Sequence, residues 1–144
     1  MVAIFAHRLL RGEPPIVNGD GEQTRDYVFV EDVVEANVRA LERPDVKGPV
    51  NIGTGAESSV NDLLRQINRW VDHPVQAVHG PPKAGEQRRS AVDPSRAKQL
   101  LGWSPQVTLE EGIRRTVEYF QHSEAGTPDI SLGRLDGRVR RTSP

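Results

Sequence analysis

Residues 19–36 read GDGEQTRDYVFVEDVVEA, and three kinds of local structure follow one another within them. Asn18-Gly19-Asp20-Gly21 is turn chemistry, because glycine takes positive φ freely while Asn and Asp bond their own backbone. Tyr27-Val28-Phe29-Val30 is aromatic and β-branched and predicts a strand. Glu31 and Asp32 come next, acids suited to the positive first turn of a helix reaching about Leu41, with Val33, Val34, Val38 and Leu41 as its core positions. Turn, strand and helix in direct succession predict a mixed α/β chain built from short pieces.

Towards the N-terminus, Val2 to Leu10 predicts a short helix with Val2, Ile4, Phe5 and Leu9 on one side, ended by Gly12 as a left-handed cap. Ile16 and Val17 predict a short strand. Towards the C-terminus, Val50-Asn51-Ile52 reads as a brief strand. Ser59 and Asp62 form a capping box for a helix through Val71 that buries Leu63, Leu64, Ile67 and Trp70. Val75 to His79 alternates as a strand does, and a polar loop rich in Pro and Gly runs from Gly80 to Arg89. Asp93 before Pro94 starts a helix that Gly102 closes after Leu101. Thr108 and Glu111 repeat the capping-box spacing ahead of Leu109, Ile113, Val117 and Phe120, which share one helical face. From His122 to Pro144 the periodicity stops and Gly, Ser, Thr, Pro and Arg take over. The organisation predicted is one folded unit over 1–121 and a disordered tail over 122–144.

The whole chain has 144 residues, of which 35% are hydrophobic. That length supports one core and not a cofactor domain plus a substrate domain. With 19 basic and 20 acidic side chains the formal net charge is -1, so no global field recruits nucleic acid or an anionic membrane. Arg138, Arg140 and Arg141 in the tail have no aromatic residue interleaved, which argues against nucleic-acid contact there. There is no cysteine, hence no disulfide framework and no thiolate metal site. No apolar run approaches the roughly 18 residues of a spanning helix, and the apolar stretch at the start precedes its charges, the reverse of a secretory signal. The expectation is a cytoplasmic protein.

Local features that bear on chemistry are few. Gly53-Thr54-Gly55 begins like a dinucleotide fingerprint, but Ser58 holds the third glycine position and the preceding strand is short, so a strand-to-helix turn is expected; Thr54, Ser58 and Ser59 still line a helix N-terminus able to face an anion. Arg25, after the flexible turn, fits either a fork onto phosphate oxygens or a pair with Asp26 or Asp32. Lys83, Arg88 and Arg89 cluster in a loop stiffened by Pro81 and Pro82, which reads either as a diphosphate clamp or as a solvated charge run. His7, His73, His79 and His122 lack metal-ligand spacing. Tyr27 and Tyr119 are followed four residues on by Glu31 and Ser123, so neither has the lysine that would lower a phenol's pKa for proton transfer.

Taken in order, GDGEQTRDYVFVEDVVEA, NIGTGAESSVNDLL, GEQRRSAVD and RAKQLLGWSPQVTLEEGIRRTVEYF resemble the C-terminal part of an extended short-chain dehydrogenase. The resemblance is to the NAD-dependent epimerases and dehydratases, in particular UDP-glucose 4-epimerases and dTDP-glucose dehydratases, over about Val2 to Gln121. It implies an α/β fold: the substrate-binding lobe together with the last elements of a Rossmann-type sheet, truncated. In such enzymes NAD oxidises the sugar at C4, the ketone rotates, and hydride returns to the other face. The glycine fingerprint, the catalytic Ser/Thr and the Tyr-x-x-x-Lys pair lie upstream of the matched part, so the resemblance assigns this chain no catalytic, cofactor or metal residue. It implies a UDP- or dTDP-sugar and the missing N-terminal Rossmann half as partners, no NAD binding by this chain alone, and no catalysis without that half. The alternative is a noncatalytic nucleotide-sugar-binding module that docks onto a separate cofactor-binding chain.

Carried onto this sequence, Ile16, Val17 and Asn18 lie along the nucleotide base, and Arg25 meets the diphosphate. Val60 packs on base or ribose, Lys83 is the second phosphate cation, and Ser90 borders the sugar. Asn51, Asp32, Asp93, Gly102 and Trp103 fall on positions read as caps and turns. Relatives often carry an aromatic residue at Asn18, arginine at Lys83 and aspartate at Glu86. An ammonium neutralises phosphate without forking it, which predicts lower affinity. A small Ser90 in place of a bulky residue implies room for a 2-acetamido sugar.

Overall fold

The computed structural model describes residues 1–124. In chain order the elements are α1 (Val2–Leu10), β1 (Ile16–Asn18), β2 (Thr24–Arg25), α2 (Val30–Glu42), β3 (Ser58–Ser59), α3 (Val60–Ile67), a 3-10 turn (Asn68–Trp70), β4 (Val78–Gly80), α4 (Ser95–Leu101) and α5 (Leu109–Glu124). The strands form two small sheets. β1 pairs parallel with β4, Val17 opposite His79 and Asn18 opposite Gly80. β2 pairs antiparallel with β3, Arg25 opposite Ser58.

Helices supply most of the core. Phe5 and Leu9 of α1, Leu63, Leu64 and Ile67 of α3, and Ile113 and Val117 of α5 pack into one apolar cluster. Truncating any of the larger of these side chains to alanine costs about 2–5 kcal/mol. α3 owes its start to the capping box: Ser59 Oγ accepts from the Asp62 amide at 3.0 Å, and the Asp62 carboxylate accepts from the Ser59 amide at 3.3 Å. It ends at Ile67, short of the expected Val71, because Asn68 turns its side chain onto Val75, with both a donated and an accepted bond at 3.1 Å. Gly12 at φ +68 and Gly102 at φ +63 end α1 and α4 as their sequence positions require. Ile4, expected beside Phe5, faces outward instead, and Ala6 takes its place inside.

A second cluster holds Ala36, Ala97, Leu101 and Trp103. Its centre is polar: Asp32, 4% exposed, accepts from the amides of Gln106 and Val107, both at 3.0 Å, while its carbonyl accepts from Trp103 Nε1 at 2.8 Å. One carboxylate thus ties the start of α2 to the segment that leads into α5. This orientation corrects the predicted core face of α2. Val34, Val38 and Leu41 are exposed, Leu41 by 82%, and Val33 is only half-buried, because Asp32 and Ala36 take the inner positions.

Two expected strands are absent. Residues 27–29 are irregular and Val30 already belongs to α2; residues 50–52 join no ladder. A strand needs a partner edge, and the described residues offer none at either place. Phe29 instead lies against Gly112 and under the Arg115 guanidinium, 5.6 Å from its ring centroid. The strand predicted at 75–79 forms at Val78–Gly80, where β1 provides the edge. Thr108 Oγ1 caps the Glu111 amide at 3.3 Å, but the Glu111 carboxylate binds Arg114 and Arg115 instead of returning to Thr108, so the second capping box is half made. α5 continues through Glu124, so the first residues of the predicted tail are helical, and the rest of that prediction lies outside the described residues.

Candidate nucleotide-sugar site

The parallel β1–β4 pair brings Asn18 beside Gly80 and sends both chains into loops on the same side. The Gly19 amide donates to the Gly80 carbonyl at 3.0 Å, and His79 Nδ1 bonds the Gly19 carbonyl at 2.8 Å. Asp20 closes the turn by accepting from the Glu22 amide at 3.0 Å. Buried Gln23 donates to the Asn18 carbonyl at 3.0 Å and stiffens the turn from within. Opposite, the 81–89 loop is strapped down by the Thr24 amide, which donates to the Arg88 carbonyl at 2.9 Å. Between the walls lies a cleft of about 340 Å³, with Asn18, Asp20 and Gln23 on one side and Lys83, Glu86 and Arg88 on the other.

Its charges are unequal in their freedom. Arg88 holds Asp20 through two bonds, at 2.8 and 2.9 Å, which lowers the Asp20 carboxyl to about 2. Arg89 binds Glu57 at 2.9 Å. Arg25 donates to the carbonyls of Thr24 at 2.7 Å and Gln87 at 2.8 Å, and to Glu86 Oε1 at 3.3 Å. Lys83 lines the cleft and forms no ion pair among the described residues. Arg25 therefore pairs with neither Asp26 nor Asp32, the partners considered from the sequence.

The Gly53-Thr54-Gly55 loop does not await a ligand. The Asp26 carboxylate accepts from the Thr54 amide at 2.9 Å, the Thr54 hydroxyl at 2.5 Å and the Gly55 amide at 3.0 Å. Burial pushes the Asp26 carboxyl up, but the Thr54 and Gly55 donors outweigh it and leave it below its ordinary value. A Cβ on Gly53 would overlap Val92 Cγ2 and stand 2.6 Å from Asp26 Oδ2, so glycine is needed here for an internal carboxylate. Ser59 is likewise spent on Asp62. This corrects the expectation that Thr54, Ser58 and Ser59 line an anion site, and the loop does not fit a dinucleotide pyrophosphate.

The seven residues carried over from the family resemblance separate into groups. Asn18 and Lys83 face each other across the cleft. Arg25 stands behind Glu86, outside the lining. Ile16 is exposed on β1. Val17 and Val60, each 1% exposed, point into the core, so their side chains support the cleft walls from behind and do not reach a ligand in it. Ser90 is half-buried beyond the cleft. Asp20 and Gln23, which line the cleft, were not foreseen, while Arg88, singled out as one cation of a possible diphosphate clamp, lines it bound to Asp20. The Asp-Gly turn at Asp20 was a usable local signal, but the Arg88 partnership spans 68 residues of sequence.

A family model described as GDP-mannose 4,6 dehydratase matches residues 1–116. The chain belongs to this family of NAD-dependent epimerases and dehydratases. Among its relatives, UDP-glucose 4-epimerase from Mycolicibacterium smegmatis is 47% identical over 122 residues, 85% of this chain and 39% of that protein. UDP-glucose 4-epimerase from Thermotoga maritima, solved with UDP-glucose, superposes with a TM-score of 0.79 at 46% identity, covering 85% of this chain and 40% of the other. UDP-glucuronic acid 4-epimerase from Bacillus cereus, solved with UDP-glucuronic acid and NAD, gives a TM-score of 0.79 at 27% identity over the same shares. The family member described here therefore spans about two-fifths of the length of the relatives it matches. No described helix is long and apolar enough to cross a membrane.

Proposed function

We propose that this chain is the nucleotide-sugar-gripping portion of a cytoplasmic NAD-dependent nucleotide-sugar 4-epimerase, and that the cleft between residues 18–23 and 82–88 receives the diphosphate. The observation that carries the reading is Lys83, a cation without an ion pair among the described residues, lining a cleft with Asn18 while the Arg25 guanidinium stands behind Glu86. Phosphate oxygens supply Lys83 with an anionic partner and Arg25 with a stronger one than its single bond to Glu86. Exposed Ile16 and the Asn18 backbone border the space for the base, Val17 and Val60 back it from the core, and Ser90 lies towards the sugar. The relatives solved with UDP-sugars support this ligand class.

NAD, when bound in such an enzyme, supplies hydride removal and return at C4. This chain's contribution is grip and orientation, and by itself it is inactive. The remaining length of the relatives docks, in this reading, on the side where Val30, Val34, Val38 and Leu41 form an exposed apolar stripe along α2. An apolar stripe of that kind is the surface a missing layer would cover.

Calorimetric titration of the chain with UDP-glucose tests the proposal. Saturable binding without NAD, weakened at least about tenfold by Arg25→Ala and by Lys83→Ala, is the expected result for loss of a charge-assisted phosphate contact. Absence of binding, or binding indifferent to both changes, would overturn it.

A further inference from the structure

Glu86 lines the cleft, whereas Arg25, the guanidinium it touches, does not. An anion entering the cleft therefore meets Glu86 before it meets Arg25. Resting on the diphosphate reading above, we propose that Glu86 is an internal stand-in for the ligand's phosphate, and that binding is an exchange in which the diphosphate replaces this carboxylate on Arg25.

The three partners of Arg25 divide by strength and charge. The carbonyls of Thr24 and Gln87, at 2.7 and 2.8 Å, are neutral and close, and they fix the guanidinium in place from both walls. The Glu86 contact is a single bond at 3.3 Å. Breaking it leaves Arg25 held and aimed, so the arginine is preorganised while its charge remains available. The neighbouring pair is built the other way. Arg88 and Asp20 make two bonds at 2.8 and 2.9 Å, a fork geometry that a ligand displaces less readily.

The Arg25 and Glu86 side chains are 26% and 21% exposed, so the guanidinium is partly withdrawn from water and an unpaired state would be costly. Glu86 removes that cost in the empty protein. The consequence is selectivity by charge. A ligand carrying one phosphate finds Lys83 alone, which it can neutralise without disturbing the pair. A diphosphate spans Lys83 and Arg25 and brings enough negative charge to compete with the carboxylate. Glu86 sits beside Gly85, whose φ of +75 marks a sharp turn, and its amide donates to the Lys83 carbonyl at 3.2 Å, so the displaced carboxylate and the responding ammonium belong to one tight turn.

The test is titration of the whole chain and its Glu86→Gln variant with inorganic diphosphate, which carries no base, ribose or sugar for Glu86 to contact. Glu22→Gln serves as the charge-matched control, because it removes one negative charge from the 19–23 turn, between the lining residues Asp20 and Gln23, without touching Arg25. Glu86→Gln is expected to tighten diphosphate binding by about three- to tenfold, as removal of a partly buried competing ion partner should, against less than about twofold for Glu22→Gln. Binding detectable only in Glu86→Gln would also support the exchange. A gain no larger than that of Glu22→Gln, or a loss, would overturn the inference while leaving the diphosphate reading intact. Absence of binding in both the parent chain and Glu86→Gln would remove the diphosphate reading and the inference with it.

Discussion

The loop Gly53-Thr54-Gly55 and the turn Gly19-Asp20-Gly21 share a composition, two glycines around one polar residue, yet one is filled from within and the other opens onto a cleft. At the first, Asp26 reaches across from the end of β2 and takes both amides and the Thr54 hydroxyl. At the second, the turn's own acid, Asp20, is bound by Arg88, and both side chains line a cleft instead of accepting from the turn's glycine amides. The difference teaches that glycine spacing makes backbone amides available without saying to whom. Whether an anion site is structural or functional is decided by a carboxylate elsewhere in the chain.

The comparison breaks most directly at the filled loop. Asp26→Ala leaves three donors without an acceptor and is expected to cost about 3 kcal/mol in a urea unfolding series. A loss below 1 kcal/mol would mean that water replaces the carboxylate easily. The same pairing has a pH signature. Asp26 titrates below its ordinary value of 3.8 when folded, so its contribution is fully present above that value and is lost as pH falls through the lower, folded one. The acid limb of the unfolding curve should therefore flatten in Asp26→Asn.

A smaller effect belongs to Gly53→Ala, whose Cβ pushes against Asp26 and the Val92 side chain; about 1–2 kcal/mol is expected from overpacking. The smallest belongs to the open turn. Asp20→Asn breaks a pair exposed on both sides and should leave the melting temperature unchanged within error, although it alters the field in the cleft. A large destabilisation there would show that the turn, too, is held together by its acid.

What was legible in the sequence was local. Ser59 with Asp62, Gly102, and the helical face of Ile113 and Val117 announce themselves within one or two turns of chain, and they stand as read. Tyr27–Val30 and Val50–Ile52 carry strand composition without a strand, because a ladder is a property of two segments and the described residues pair no second one with either. α2 misled for a related reason: its valines are the apolar residues, but Asp32 and Ala36 face the core, since a buried carboxylate with two amide donors and a small side chain against Leu101 and Trp103 fit there better. At the site, the cations were visible as a cluster, but their partners were not. Arg25 meets Glu86 across 61 residues and Arg88 meets Asp20 across 68, distances over which no spacing rule operates.

The Gly19 amide bond to Gly80 gives the cleft a history as well as a shape. Its walls come from opposite sides of a crossover that contains α2 and α3, so this hydrogen bond is among the long-range closures that folding reaches late. In hydrogen exchange the Gly19 proton should exchange freely until the parallel pair has closed and slowly afterwards, which makes one amide a clock for the moment at which the chain first acquires a place to hold a ligand.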